Sequence, residues 1–179
     1  VLICFTSIRL WPRAVLRRWQ QLFIRRTMDP EKAYSKAAAL CARNEQCSSM
    51  IREKLLRWGI ESADAEKVIS RLIEEKFIDD HRYAGFYARD KARFNKWGRT
   101  KIVWQLRKKS IPDEIINDAM GTIPDNDYKE NLASLLMQKN RQIKEDDPYK
   151  RKASLIRFAA SRGFSYEEIE KALRQISAE

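Results

Sequence analysis

The feature that most constrains this sequence is a pattern of residues that recurs three times. The segments MIREKLLRWGI, KIVWQLRKKSI and SLIRFAASRGF begin at residues 50, 101 and 154. In each segment two apolar residues stand four apart, and a small residue followed by an apolar one closes it. Such self-similarity is typical of repeat proteins, in which each unit buries its apolar face against its neighbours.

A second recurring pattern follows these segments. It consists of two apolar residues four apart and, after the first two segments, an isoleucine with a tyrosine five positions later. The apolar pairs begin at Val68, Ile115 and Ile169, and the isoleucine–tyrosine pairs begin at Ile78 and Ile123. Apolar residues four apart lie on one face of a helix. We therefore predict a unit made of a short helix, a tight turn, a second short helix and a longer helix.

Composition supports a helical fold. Five glycines and five prolines among 179 residues are too few for a turn-rich β structure. We predict an all-α fold in which tandem three-helix repeats form an elongated, curved helical array. The predicted helices cover residues 30–45, 49–58, 63–75, 80–96, 99–109, 113–121, 127–143, 149–161 and 166–177.

The repeats divide the chain into four predicted parts. Residues 1–27 form a basic N-terminal extension, 28–97 contain an N-terminal helix and repeat 1, 98–145 contain repeat 2, and 146–179 contain an incomplete repeat 3. The last repeat stops after its second helix. The N-terminal helix is a candidate for supplying the missing packing.

Residues with strong capping preferences stand at the predicted helix ends. Short polar side chains accept hydrogen bonds from the first backbone amides of a helix, and glycine favours the left-handed conformation at a helix end. The predicted N-terminal caps are Asp29, Ser62, Asp147 and a capping box of Ser165 with Glu168, and the predicted left-handed ends are Gly59 and Gly163.

Residues 1–27 contain six arginines and no acidic residue. Their apolar runs are far shorter than the ~20 residues of a membrane-spanning helix, and the order of features in a secretory signal is missing. Three interpretations stay open: a helix lying on a membrane surface, an organelle-targeting peptide, and a segment foreign to the natural protein. We favour the third, because Met28 is followed at once by the helix-initiating run Asp29-Pro30-Glu31.

Positive charge is concentrated in residues 89–109. The whole chain has a net charge of +11, and this segment holds nine basic residues and one acid, with Phe94, Trp97 and Trp104 interleaved. Lysine and arginine neutralise phosphates or pair with carboxylates, and exposed aromatic rings stack on bases or anchor protein interfaces. We predict a binding surface here, with a solvated helix face and core aromatics as the alternative. A weaker cluster in 139–152 would widen this surface if the repeats stack.

The short helix pairs have the spacing of DNA-reading helix-turn-helix motifs, but their second helices are acidic. A recognition helix that enters the major groove faces dense phosphate charge and is normally basic or neutral. Groove reading by these helices is therefore not expected.

No pattern of a standard enzyme is present. His81 is the only histidine, which excludes multi-histidine metal sites, and the glycine-rich phosphate loops and the serine-hydrolase motif are missing. In the run Asp79-Asp80-His81 we expect an aspartate to cap the following helix. We predict no catalytic residue, no metal site and no cofactor, and we interpret the three cysteines as reduced thiols.

Several of these segments resemble the RecX family. FIDDHRYAGFYARDKARFNKWGRTKIVWQLRKKSI is similar to the family's central segment, which has an Ile/Leu-Asp-Asp-x-x-Tyr-Ala start, a basic stretch, a glycine and a helix that ends before Gly-Ile. LLRWGI and SRGFSYEEIEKAL resemble the family's repeated pattern, so the similarity spans about residues 30–177. Ser110 and Pro112 replace the family's usual glycine and polar cap, which is expected to change that turn locally. Residues 1–27 have no counterpart. The matching positions are Ile78-Asp79-Asp80, Tyr83-Ala84, Gly98, and Leu106 with Ser110-Ile111.

This resemblance implies a cytoplasmic regulatory protein of recombination, DNA repair and the SOS response. Such a protein binds within the groove of a RecA–DNA filament and inhibits strand exchange, ATP hydrolysis and co-protease activity. It contacts DNA through the filament or weakly by itself, and we expect a monomer without enzymatic activity or membrane contact. The alternatives are a stand-alone nucleic-acid-binding helical repeat protein and a peripheral membrane protein that uses residues 1–27.

The binding surface can be assigned to particular side chains. We expect six cations to contact the filament or DNA, and four other residues to hold the shape of the surface. The contact candidates are Arg93, Lys96, Arg99, Lys101, Arg107 and Lys108, and the supporting residues are Tyr83, Trp97, Gly98 and Leu106.

Overall fold

The computed structural model describes residues 28–176, which contain nine helices and no strand. The predicted all-α fold is therefore confirmed. None of these helices is long and apolar enough to cross a membrane. The interpretations of residues 1–27 lie outside the described residues. The helices are α1 (Pro30–Arg43), α2 (Ser48–Arg57), α3 (Ser62–Glu74), α4 (Asp80–Arg93), α5 (Arg99–Lys108), α6 (Asp113–Gly121), α7 (Asp125–Gln142), α8 (Pro148–Ser161) and α9 (Tyr166–Ile176).

Most of the predicted helix ends are confirmed. The carboxylates of Asp29 and Asp147 accept backbone amides, Ser165 and Glu168 form the capping box, and Gly59 and Gly163 have φ angles of 85° and 92°. The prediction for Ser62 was wrong. Glu61 precedes α3 as its N-cap, so Ser62 is the first helical residue and makes no capping hydrogen bond.

Helix α4 ends three residues earlier than predicted. Lys96 has a φ of 50°, which is outside the helical region. The amide of Trp97 then donates to the carbonyl of Lys91, six residues earlier, at 3.0 Å, so the chain folds back over the end of the helix. A lysine therefore does here what glycine usually does.

Ser110 likewise takes the conformation that glycine supplies in the other two repeats. Its φ is 56°, and the amide of Ile111 donates to the carbonyl of Leu106 at 3.2 Å. The equivalent bond at Ile60 measures 3.1 Å. The tight turn is thus retained without the glycine, whereas Pro112 precedes α6 as an N-cap that makes no side-chain capping hydrogen bond.

Each long helix packs with the two short helices that follow it. Helix α1 contacts α2 and α3, α4 contacts α5 and α6, and α7 contacts α8 and α9. We therefore define unit 1 as α1–α3, unit 2 as α4–α6 and unit 3 as α7–α9, which gives the tandem three-helix repeats that were expected. With the long helix placed first, the third unit contains all three of its helices. The prediction placed the long helix last in each unit, and the third unit then lacked one helix.

The repeated apolar residues form the core. Unit 1 has its own buried cluster, whereas units 2 and 3 share one. The second recurring pattern is shifted by one residue in unit 2, because Ile116 is 1% exposed while Ile115 is only partly buried. The apolar pairs of the first pattern are all buried, namely Ile51 and Leu55, Ile102 and Leu106, and Leu155 and Ala159.

Two junctions join the three units, and each begins with an aspartate. This aspartate starts a long helix and holds the first residue of the preceding unit's short helix. The Asp80 carboxylate accepts the Ser48 amide at 2.9 Å and the Ser48 hydroxyl at 2.8 Å. The Asp125 carboxylate accepts Nη2 of Arg99 at 2.6 Å. In both junctions, therefore, the aspartate at the first position of the long helix binds the first residue of the preceding unit's short helix.

A tyrosine one turn later lies in each junction. The Tyr83 hydroxyl donates to Sδ of Met50 at 3.6 Å. The Tyr128 hydroxyl accepts the amide of Arg99 at 3.0 Å. Burial raises the pKa of both phenols far above the usual range, so both stay neutral, and the Tyr128 hydroxyl in turn donates to the Glu168 carboxylate at 3.3 Å.

The tight turn of the following unit completes each junction. The Ser49 hydroxyl donates to the carbonyl of Lys109 in the first junction. In the second, the amide of Gly98 donates to the carbonyl of Arg162 at 2.9 Å, and the amide of Thr100 donates to that of Gly163 at 3.2 Å. In this second junction the backbone of Gly98 lies directly against the backbone of Gly163. A Cβ atom on Gly98 would be only 2.0 Å from the Gly163 carbonyl oxygen.

Replacement of Gly98 by alanine should therefore separate units 2 and 3. We expect Gly98→Ala to destabilise the fold by about 3 kcal/mol, because a methyl group cannot displace the backbone it meets. Urea unfolding measures this loss. Gly121→Ala is the matched control, since nothing lies within 4 Å of its Cβ position. Equal stability of the two variants would contradict the close approach.

Candidate functional site

The basic segment 89–109 forms the end of α4, a connecting turn and α5. Lys101, Trp104 and Lys108 lie three and four residues apart on α5 and therefore share one side of the helix. The Trp104 side chain is 55% exposed. An aromatic ring that remains in solvent between two lysines is unlike the core aromatics of the alternative interpretation.

Most cations of this segment lie over an aromatic ring, and three of the predicted contact residues are among them. Nζ of Lys101 is 4.8 Å from the centre of the Trp97 ring, and Nζ of Lys108 is 5.1 Å from that of Trp104. The Arg93 guanidinium lies 5.5 Å from the Phe94 ring centre. A positive charge over the negative face of a ring is attracted to it, so these contacts hold the cations in place without neutralising them.

We call the cationic face the four cations Arg93, Lys96, Lys101 and Lys108 with the rings that lie beside them. Lys96 donates to the Ser134 hydroxyl at 3.2 Å, and Lys101 donates to the Ser161 carbonyl at 3.4 Å. Within residues 28–176, none of the four pairs with a carboxylate. Their charge is therefore available to a partner.

The other two predicted contact residues are paired with acids. Arg99 lies 2.6 Å from Asp125 and 3.7 Å from Glu168, within the junction of units 2 and 3. Arg107 pairs with Asp113 at 2.7 Å inside unit 2, and this pairing raises the pKa of its guanidinium. The structure thus divides the six predicted cations into four that are free of acids and two that are neutralised.

The four residues expected to support the surface lie inward. Leu106 is fully buried and Tyr83 is 7% exposed. Trp97 is partly buried against the shared core of units 2 and 3, and Gly98 lies in the junction described above. Each lies where a change would move α5 relative to its neighbours.

Sequence reasoning missed one cation of unit 3, Arg162. Its Nη1 donates to the carbonyl of Asn95 at 3.3 Å, which brings it beside the connecting turn of the cationic face. Arg162 and Lys139 lie on the Phe158 ring, at 5.5 and 5.3 Å. The repeat pattern could have indicated Arg162, because Arg162 occupies the position in unit 3 that Lys109 of the basic segment occupies in unit 2.

The weaker cluster in 139–152 is divided by the structure. Lys139 shares the Phe158 ring with Arg162. Arg151 and Lys152 instead line a cavity at the end of unit 3, where Arg151 donates to the carbonyl of Glu145 at 2.7 Å. Only Lys139 is tied by these contacts to the surroundings of the cationic face.

One acid of each second short helix pairs with a cation of the first short helix in the same unit. The second short helices thus remain acidic on balance, which is unlike a recognition helix in a DNA groove. The pairs are Arg52 with Glu66 at 2.6 Å, Arg107 with Asp113 at 2.7 Å, and Lys152 with Glu170 at 3.0 Å.

The run Asp79-Asp80-His81 has structural roles. Asp79 caps α4 by accepting the amide of Arg82 at 3.0 Å, as expected. Asp80 holds Ser48 in the first junction. The exposed His81 lies 3.9 Å from Asp118. In the part of the chain that the structure describes, no three potential metal-ligating side chains come together.

Three sequence models of the RecX family match the described helices. The first three-helix domain of RecX matches residues 33–72, the second matches 79–120, and the third matches 126–173. Each match covers most of one unit, with the long helix first.

Curated proteins similar to this chain are named regulatory protein RecX. The chain is 32% identical over 151 residues to the regulatory protein RecX of Clostridium acetobutylicum, covering 82% of this chain and 70% of that protein. It is 32% identical over 148 residues to the regulatory protein RecX of Chlorobium phaeobacteroides, covering 83% and 95%. The chain spans only 63% and 58% of the relatives from Clostridium botulinum and Clostridium tetani.

Solved structures share the fold. The crystal structure of RecX from Lactobacillus salivarius superposes with a TM-score of 0.77 at 23% identity, over 84% of this chain and 97% of that one. A second structure, of regulatory protein RecX, gives a TM-score of 0.76 at 24% identity.

The ion pair of the second junction should make stability depend on pH. The Arg99 guanidinium lowers the pKa of the Asp125 carboxyl, so this carboxylate stabilises the fold above the ordinary value of about 3.9 and the contribution is lost as pH falls through the lowered value. Asp125→Asn should therefore lower the melting temperature at pH 7, and the difference from the unmodified chain should shrink below about pH 4.

The matched control for this prediction is Asp127→Asn. Asp127 lies in the same first turn of α7 and has the same favourable place in the helix dipole, but no ion pair is found for it among residues 28–176. Thermal unfolding followed by circular dichroism compares the two variants. Equal losses in both would assign the effect to the helix dipole instead of the junction.

Proposed function

The chain belongs to the RecX family, and we propose that it regulates a RecA-type recombinase by binding the recombinase filament on DNA through the cationic face. The observation that carries this proposal is the group of cations on α5 and the turn before it that pair with no described acid, with Trp104 and Lys108 exposed and Lys96 and Lys101 half-exposed. Lysine and arginine bind phosphates or carboxylates, and the rings add contact area or stack on bases.

The proposed contacts are Arg93, Lys96, Lys101 and Lys108. Arg99 and Arg107 are left out, since their carboxylate partners neutralise them. Arg162 and Lys139 are added, because they lie on the Phe158 ring beside the connecting turn. A face built from units 2 and 3 together also explains why their junction must be firm, since a loose junction would separate the cations.

Regulation of this kind needs no chemistry from the chain itself. A protein that binds one state of a filament more tightly than its other states shifts the filament toward that state. We propose that this chain mainly inhibits ATP hydrolysis, strand exchange and co-protease activity in that way. A cytoplasmic location, where the recombinase and its DNA are, follows from this proposal.

Lys108→Glu should weaken inhibition of the recombinase. We expect the concentration needed for half-inhibition of ATP turnover by filaments on single-stranded DNA to rise about tenfold, the equivalent of roughly 1.4 kcal/mol. Circular dichroism should show unchanged helicity, since Lys108 is exposed and pairs with no described acid.

Arg57→Glu is the matched control. Arg57 is the last residue of α2, the position that Lys108 occupies in α5, and among the described residues its guanidinium bonds only its own helix, through the carbonyl of Glu53. The same charge reversal in unit 1 should leave inhibition unchanged. Equal effects of the two variants would contradict the assignment of the cationic face.

The alternative, a stand-alone nucleic-acid-binding protein, predicts a different result. Such a protein would bind naked DNA steeply with salt, whether or not the recombinase is present. Binding to single-stranded DNA alone, with no effect on ATP turnover by the filament, would favour that alternative.

A further inference from the structure

One side of α4 presents two phenylalanine rings to solvent. Phe86 is 53% exposed and Phe94 is 73% exposed. Arg89 and Arg93 follow Phe86 by three and seven residues, and Phe94 follows it by eight, so all four side chains lie along the same side of the helix. Arg93 and Phe94 already belong to the cationic face, and Phe86 and Arg89 extend it along α4.

The two rings line a groove between α4 and the start of α7. The groove has a volume of about 350 Å³, and we call it the α4–α7 groove. Its buried lining residues are Ala92, Ile123 and Tyr128, and its other wall is formed by Pro124, Asp127 and Asn131. Described helices of units 2 and 3 lie on both sides of this segment of the chain, so the groove is an internal feature of the described array.

Each ring of the groove is paired with an arginine. The Arg89 guanidinium lies 5.1 Å from the centre of the Phe86 ring, and that of Arg93 lies 5.5 Å from the centre of the Phe94 ring. Neither arginine forms an ion pair with an acid of residues 28–176. The groove thus offers flat apolar surface and unneutralised positive charge side by side.

This combination is complementary to a single-stranded nucleic acid. Unpaired bases stack on aromatic rings and on guanidinium planes, while the phosphates between them bind cations. Phe86 and Phe94 are eight helical residues apart, which corresponds to about 12 Å along the helix. Because neighbouring stacked bases are only ~3.4 Å apart, each ring would take a separate base of an extended strand. In a duplex the faces of the bases are covered by their neighbours.

The wall formed by α7 favours a base over an acidic peptide. Asp127 and Asn131 are four residues apart on α7 and both line the groove. The exposed Asp127 carboxylate has no ion pair among the described residues. It would repel the carboxylates of an acidic peptide, whereas it accepts hydrogen bonds from the N–H groups on base edges.

We propose that the α4–α7 groove binds single-stranded DNA, with unstacked bases on Phe86 and Phe94 and the backbone phosphates on Arg89 and Arg93. The proposal deepens the proposed function and rests on it for its setting, because the strand would be the DNA of the filament. The binding itself requires no recombinase. Stacking does not depend on the identity of the base, so binding is expected with little sequence preference.

The test measures binding of the full chain to DNA alone by fluorescence anisotropy. An oligothymidine of about 12 nucleotides is compared with an abasic strand of the same length, which keeps the phosphates and lacks the bases. The oligothymidine should bind about tenfold more tightly. Residues 1–27 hold six arginines, but these affect both strands alike. Equal affinity for the two strands, or tighter binding of the corresponding duplex, would overturn the proposal.

Substitutions separate the rings from the charges. Phe86→Ala and Phe94→Ala should each weaken binding of the oligothymidine about tenfold, and leave the affinity for the abasic strand and the salt dependence unchanged. Arg89→Gln should weaken binding of both strands and reduce the salt dependence by about one released ion. With 2-aminopurine in the strand, the fluorescence change on binding reports stacking directly, and Phe94→Ala should diminish it.

Tyr149→Ala is the matched control. It removes an aromatic ring that is 88% exposed, on α8 and outside the groove, and it should leave binding unchanged. Circular dichroism verifies that each variant is folded, which is expected because Phe86 and Phe94 are exposed. An equal loss in Tyr149→Ala would contradict the assignment of the groove.

The outcome is separable from that of the proposed function. Inhibition of the recombinase is measured with Lys108→Glu, a residue outside the groove, and does not enter the binding experiment. If Phe86→Ala left binding of the oligothymidine intact but weakened inhibition of ATP turnover, the groove would bind a segment of protein. That result would overturn this proposal and leave the proposed function in place.

Discussion

The contact on which the rest of the structure depends is the one between a long helix and the short helix of the unit before it. An aspartate at the start of the long helix holds the first residue of that short helix, through Ser48 in one junction and Arg99 in the other. This contact fixes where α5 lies relative to α7 and α8. It therefore also sets how the cationic face lies relative to Arg162 and Lys139 beside Phe158.

Much of the fold could be predicted from the sequence, because the repeat records which residues point inward. Apolar residues four apart mark the buried face of a helix whatever its neighbours are. The boundary between units was harder to predict, since a cyclic pattern reads equally well from any starting point. Only packing shows that α4 belongs with α5 and α6. The one-residue difference between Ile115 and Ile116 has a similar cause, because both are apolar and their burial depends on how α6 is rotated.

The cations were found by their type, but their availability could not be predicted from the sequence. Arg99 and Lys101 stand two residues apart in the same basic run. Arg99 meets Asp125 and Glu168, which are distant in sequence and belong to another unit. Lys101 meets an aromatic ring and a carbonyl. Whether a cation is paired with a carboxylate depends on which residues of the next unit lie beside it. Tertiary packing determines this, and the local sequence does not.

The repeats also show how the middle unit differs from the other two on its outward side. The positions of Lys101, Trp104 and Lys108 in unit 2 are occupied by Met50, Glu53 and Arg57 in unit 1, and by Ser154, Arg157 and Ser161 in unit 3. The inward positions of the same helices remain apolar in all three units. Packing therefore constrains one side of the helix equally in every unit, whereas the outward side is free to differ. Only the middle unit carries the alternation of lysine and tryptophan there, with a neighbour on each side to hold it in place.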